Sequence, residues 1–140
     1  MKLHLLDTSA VLAHYLREPG WETLAQFFAD EDTLLLLSPV SLVEFNSRLM
    51  ELKVPEAERK NILQHYRDLM SEIALIDGDT AKIAIQLRES SHPRLPLADS
   101  LIAACAKQRN ATLIHCDPHF RVISSSDLKQ IELPPKTKVS

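Results

Sequence analysis

Short apolar runs of strand length recur between helical stretches, and two of them end at an aspartate: KLHLL leads into Asp7 and TLIHC into Asp117. Strands that are apolar without alternation are buried on both faces, so their alternation with helices argues for an α/β chain with a mostly parallel sheet between helices. The strands of a parallel sheet end at one carboxyl edge, where open α/β folds bind ligands, so Asp7 and Asp117 could share a site. Each also has an ordinary alternative. Asp7 or Thr8 can cap the helix that follows, and Asp117 is a good N-cap with Pro118 at the first helical position.

The pattern predicts strands over 2–6, 33–37, 73–76 and 112–116. Helices are predicted over 8–17 and 21–28, after Pro39 with Leu42, Phe45, Leu49 and Leu52 on one stripe, over 56–71 with Ile62, Leu63, Tyr66, Leu69 and Met70 inward, and over 80–90 and 97–109. Pro19-Gly20, Ser38-Pro39 and Pro55 punctuate the series. A chain of 140 residues, 45% apolar, can bury one sizeable core, and it reads as one domain over 1–133 with a disordered tail from Pro134 (PPKTKVS). No apolar run approaches a membrane span and MKLHLLD lacks a secretory pattern, so the expectation is a cytoplasmic protein without membrane association. Cys105 and Cys116 have no CxxC spacing and read as packing residues rather than a disulfide framework or a four-thiolate zinc site.

Two further carboxylates stand out. Asp99 has apolar neighbours at helical spacing, Ile102, Ala103 and Ala106, and a lone carboxylate on such a face has a raised pKa unless a cation or hydrogen bonds compensate; its alternative is simple helix-dipole stabilisation in a first turn. Glu44 lies on an otherwise apolar helix, with an exposed pair to Arg48 as its alternative. Gathered in one hollow, Asp7, Glu44, Asp99 and Asp117 would repel one another by roughly 1 kcal/mol per pair at 4 Å in water and about 4 kcal/mol at an effective dielectric of 20. Such a cluster persists only with cations or protons. Hard oxygen ligands without supporting thiolates favour Mg2+ or Mn2+ over zinc. Metal ions so held can polarise a phosphoryl oxygen and activate water, which suits a chain with no convincing serine or cysteine nucleophile beside a base. Thr8 and Ser9, at a strand-to-helix turn, could orient water or phosphate. Asp77 and Asp79 also follow a predicted strand, and spacing alone does not exclude them. His115 and His119 flank Asp117 and invite a zinc reading, although a four-residue gap across a strand end guarantees no shared face. The net charge of -3 and pI near 6.0 do not advertise a nucleic-acid binder, an objection that weakens where bound cations reverse the local sign.

The stretches LLDTSAVLA, SPVSLVEF, LPLADSLIAACA and TLIHCDPHFRVI, in this order, resemble a PIN domain of the VapC type, the ribonuclease toxin of toxin-antitoxin pairs, over residues 3 to 123. By position, the resemblance makes Asp7, Glu44, Asp99 and Asp117 the four family acids and Thr8 or Ser9 the hydroxyl residue beside the first; Asp77 and Asp79 match no family acid. It implies a five-stranded parallel sheet, the missing strand falling around 130–133, and Mg2+- or Mn2+-dependent cleavage of RNA. It also implies a homodimer and a cognate antitoxin that threads a segment across the acidic site, where a basic side chain could displace or mimic the metal. Two positions depart from the pattern: His115 stands where members often have threonine, and His119 where many have a further acid. One-metal catalysis or a shifted pH optimum would accord with that change.

Other readings compete. A non-catalytic PIN-like protein-binding module would use the acids for folding or docking, and a metal-dependent nuclease could act on DNA, since chemistry at the phosphate does not consult the 2'-hydroxyl. A phosphoacceptor domain needs a lysine that TLIHCD does not supply, and an aspartyl phosphatase needs an acid where Ser9 stands. Arg59, Lys60, Arg67, Lys82 and Arg88 could guide RNA toward the acids or form solvated helix faces.

Overall fold

Strands β1 (Lys2–Leu6), β2 (Thr33–Leu37), β3 (Glu72–Ile73), β4 (Thr112–His115) and β5 (Gln130–Glu132) form one sheet in a computed structural model that describes residues 1–135. All pairings are parallel, and the order is β3-β2-β1-β4-β5. The chain builds outward from β1 through β2 to β3, then returns to the other side of β1 for β4 and β5. The strand order therefore reverses between β1 and β4, the position at which open parallel sheets leave a crevice.

Helices α1 (Thr8–Tyr15), α2 (Trp21–Ala29), α3 (Pro39–Glu51) and α4 (Glu56–Leu69) cover one face, and α5 (Gly78–Ser90) and α6 (Leu97–Gln108) the other. The pleat explains the division: Leu5, Leu36 and Leu113 pack with Ala84, Leu87, Ile102 and Ala103, whereas their neighbours Leu6, Leu35, Leu37 and Ile114 pack with Val11, Leu24, Phe45 and Tyr66. Strand residues buried on both faces account for runs without alternation.

Side chains set the helix starts. Asp7 accepts a hydrogen bond from the Ser9 amide (3.0 Å), Ser38 from the Val40 amide (3.1 Å) with Pro39 at the first helical position, and Asp77 and Thr80 close a capping box at α5. Gly20 adopts a left-handed φ of 95° at the Pro19-Gly20 break, where a Cβ would lie 3.1 Å from Pro134 Cδ.

The expected parallel five-stranded sheet is present, and the fifth strand lies at 130–132. Three expectations need correction. The strand predicted over 73–76 is the two-residue β3: beyond it Ala74 is buried, but Leu75 (78% exposed) and Ile76 run off the sheet edge toward the α5 cap. Leu52, expected on the stripe of α3, is its exposed C-cap, because the helix ends at Glu51 and the stripe is last buried at Leu49. The helices predicted to reach residues 17 and 71 stop at Tyr15 and Leu69. The tail expected from Pro134 lies, beyond Pro135, outside the described residues.

Candidate active site

The crevice between β1 and β4 holds the acids. Asp7 follows β1 and is 3% exposed; Asp117 follows β4 and caps a short 3-10 helix at Pro118–Val122, accepting from the His119 amide (2.9 Å). Asp99 enters from the first turn of α6 and Glu44 from α3. Both residues after Asp7 serve the acids. Thr8 Oγ1 donates to Glu44 Oε1 at 2.6 Å, holding the acid of α3 to the start of α1. Ser9 Oγ donates to Asp7 Oδ2 at 2.5 Å and accepts the Cys116 amide at 2.9 Å, so one hydroxyl ties the first carboxylate to the strand end that carries the fourth.

The electrostatics report crowding. Burial pushes the Asp7 carboxyl up to about 7, against two lowering hydrogen bonds from Ser9, with Asp99 and Asp117 adding to the rise. Burial, then the charge of Asp117, raises Asp99 to about 6, while His119 opposes the rise and Glu44 adds to it. Asp99 thus links the set, sensing Asp7 and Asp117 on the strand ends and Glu44 on α3.

Asp99, Asp117 and His119 present ligand atoms within 4.8 Å of one another, and the His119 ring, 61% exposed, stands at the mouth with Nδ1 3.3 Å from Asp99 and 3.2 Å from Asp117. The carboxylate oxygens here are hard donors, and the raised pKa of Asp99, which a nearby positive charge would relieve, fits a divalent cation.

His115 takes no part in this cluster. It is fully buried against Phe120, with Nε2 2.8 Å from Gln130 Oε1 and Nδ1 accepting the Asp117 amide, so both ring nitrogens are engaged and the two-histidine zinc reading fails. Asp77 and Asp79 are also set apart. Asp77 accepts from Gln108 Nε2 (3.3 Å) at the far end of α6 from Asp99, about 14 Å along the helix axis, and Asp79 follows it in the exposed first turn of α5. What the sequence did not disclose is the Thr8–Glu44 bond and the bridging position of His119, both products of tertiary placement. Cys105 is buried in the core, and the Cys116 thiol contacts the Pro134 carbonyl (3.2 Å).

Comparisons with known proteins agree with this architecture. A VapC ribonuclease of Rhizobium meliloti (strain 1021) is 28% identical over 145 residues, covering 90% of this chain and 99% of that protein. VapBC-5 of Mycobacterium tuberculosis, a member of the VapBC family of toxin-antitoxin systems, superposes with a TM-score of 0.69 at 25% identity, covering 95% of this chain and 100% of the other. VapBC2 of Rickettsia felis, crystallised with a DNA fragment from its promoter, gives a TM-score of 0.75 at 17% identity, covering 94% and 99%. A family model for the PIN domain matches residues 4–125, which take in four of the five strands and the segments that carry all four acids, and the chain belongs to the PIN domain family.

Proposed function

We propose that this chain is a divalent-metal-dependent endoribonuclease that hydrolyses RNA phosphodiester bonds and acts as the toxin of a toxin-antitoxin pair. The observation that carries the reading is the gathering of Asp7, Glu44, Asp99 and Asp117 at the β1–β4 crevice, with Asp7 and Asp99 raised to about 7 and 6. Likeness to a VapC ribonuclease supports RNA as the substrate, and likeness to VapBC assemblies supports an antitoxin partner. A cytoplasmic location follows from such a substrate and partner; among the described residues no helix is long and apolar enough to cross a membrane. Exposed apolar side chains on α3, Val43 and Met50, would suit a homodimer contact.

Asp99 and Asp117 would hold the cation, with Asp7 beneath them and His119 as an additional nitrogen donor. When bound, it supplies Lewis-acid polarisation of a phosphoryl oxygen and lowers the pKa of water. The chain's own groups then position and exclude. Ser9 fixes the Asp7 carboxylate through its hydroxyl and amide, so the buried acid meets its ligand without reorganising. Thr8 holds Glu44 at the rim, where the second carboxylate oxygen is left to accept a proton or orient water. Ile102 and Ala103, one turn beyond Asp99 on α6, are fully buried in the core and anchor the end of the helix that carries it.

Cleavage of labelled RNA and of DNA of the same sequence, with and without Mn2+, tests the proposal. RNA should be cut only with metal, and the rate should fall at least about 100-fold in Asp99→Asn, more than loss of an outer-shell partner costs. Equal cutting of DNA would reassign the substrate. Absence of both cleavage and Mn2+ binding would leave the acids to a protein-binding module.

A further inference from the structure

The five cations of the helical faces do not share one fate. Arg59 is tied to Asn46 and the Val54 carbonyl, and Lys60 pairs with Glu56, whereas Arg88 lies at the acidic end of the molecule. Its place follows from the antiparallel packing of α5 on α6. Thr80 Oγ1 is 2.5 Å from Gln108 Oε1 at one end of the pair, and Arg88 Nε donates to the Leu95 carbonyl (3.0 Å) at the other, where Asp99 begins its approach to the hollow. There Arg88, His92 and Arg94, with Ile85, Glu89 and Ser91, line an open cavity of about 580 Å³.

Its positive charge is not neutralised. Among the described residues Arg94 and His92 make no hydrogen bond or ion pair, and Arg88 engages only Nε, leaving both terminal nitrogens of its guanidinium open. Glu89 is the single acid on the wall. Two guanidinium groups with open ends present the planar fork that phosphate oxygens accept, and anchoring of Arg88 at Nε lowers the cost of ordering it. The chain from Arg94 to Asp99 spans at most about 18 Å even when extended, within reach of a few nucleotides. A protein of net charge -3 with four clustered acids repels a polyanion, so a strand needs a grip outside the acids.

We propose that this cavity is a phosphate-anchoring subsite, in which Arg94 and Arg88 grip the backbone of an RNA strand a few nucleotides from the bond cut at the acids. The inference rests on the RNA reading above. It is tested with a fluorescein-labelled, single-stranded RNA 12-mer of mixed sequence by anisotropy across a KCl series, in full-length protein carrying Asp99→Asn so that the RNA stays whole. Arg94→Ala should weaken binding about 3- to 10-fold and reduce the slope of log affinity against log salt by about 0.7, and Arg88→Ala with Arg94→Ala by about 1.4, the counterion release of one and two phosphate contacts on a single strand. Lys60→Ala should change neither. An unaltered affinity and slope in Arg94→Ala, a variant of an exposed side chain without structural bonds, would overturn the subsite, as would absence of RNA binding by the parent. Intact RNA binding with weakened capture of a polyglutamate peptide would overturn it in favour of an acidic protein partner. Intact metal-dependent cleavage by otherwise wild-type protein together with an unaltered slope rejects the subsite alone. A reduced slope with no cleavage under any condition rejects the nuclease reading and keeps the subsite.

Discussion

Replacing Asp7 by Asn should stabilise the metal-free protein. The Asp7 carboxyl is held at about 7 in the fold against 3.8 for an unperturbed aspartate, chiefly because it is buried. With the folded pKa above the unfolded one, its contribution to stability is full below about pH 4 and is lost as the pH rises through about 7. At about pH 8 the ionised group costs roughly 4 kcal/mol, the free energy of some three pKa units. Asn is nearly isosteric and keeps a carbonyl oxygen for the Ser9 amide and hydroxyl, but it is a weaker acceptor and adds an amide N–H2 to a buried site. The net gain should be about 2 kcal/mol, or about 6 °C in Tm for a domain of this size. It should be lost by about pH 5, where the folded wild-type group is protonated and the raised pKa costs roughly 3 kcal/mol less, so that Asn is there neutral or slightly destabilising. Thermal melts by circular dichroism in EDTA at the two pH values measure it. A variant that melts at or below wild type at about pH 8 would refute the account of a buried, charge-crowded carboxylate. Millimolar Mn2+ should narrow or reverse the difference, since the cation stabilises the form whose ligands are complete.

Thr8→Val removes the donor that holds Glu44 while keeping shape. It should cost about 1 kcal/mol in urea unfolding and lower kcat more than it raises KM, whereas Thr8→Ser should restore both; equal activity in Val and Ser variants would show that Glu44 needs no such hold. His4 is 6% exposed, lies 4.7 Å from the Phe27 ring, and has no hydrogen-bond partner for either ring nitrogen. His4→Phe should therefore add about 1 kcal/mol of stability and leave cleavage unchanged, and a loss of stability in the same urea titration would contradict this.

The central strands were legible because β1, β2 and β4 are buried on both faces and their apolar runs need no tertiary context to be recognised. Asp7 and Ser38 were equally plain as helix starts, since a cap involves only one side chain and the next amides, whereas Asp77 reads as a possible site acid, with its helix expected only from residue 80. The edge strand was not. IALI reads as a strand at 73–76, but with a neighbour on only one side the ladder ends at Ile73 and the chain leaves for the α5 cap, exposing Leu75. The acids themselves were visible one by one, each with an innocent explanation. Their proximity was not a property of spacing: it arises because the strand order reverses between β1 and β4 and because α6 begins at the same sheet edge. The two departures from the family pattern also separate only in three dimensions, His115 turning into the core and His119 outward over the carboxylates.

The most direct test of the metal-dependent cluster is the RNA cleavage rate as Mn2+ is titrated from zero, for wild type, Asp99→Asn and Asp77→Asn. No cleavage is expected without metal. Wild type should show a saturating rise, Asp99→Asn a loss of at least about 100-fold, and Asp77→Asn an undiminished rate, because its carboxylate caps α5 and meets Gln108 at the far end of α6. Cleavage that persists in EDTA, or that survives Asp99→Asn but fails in Asp77→Asn, would contradict a metal site built on the four acids.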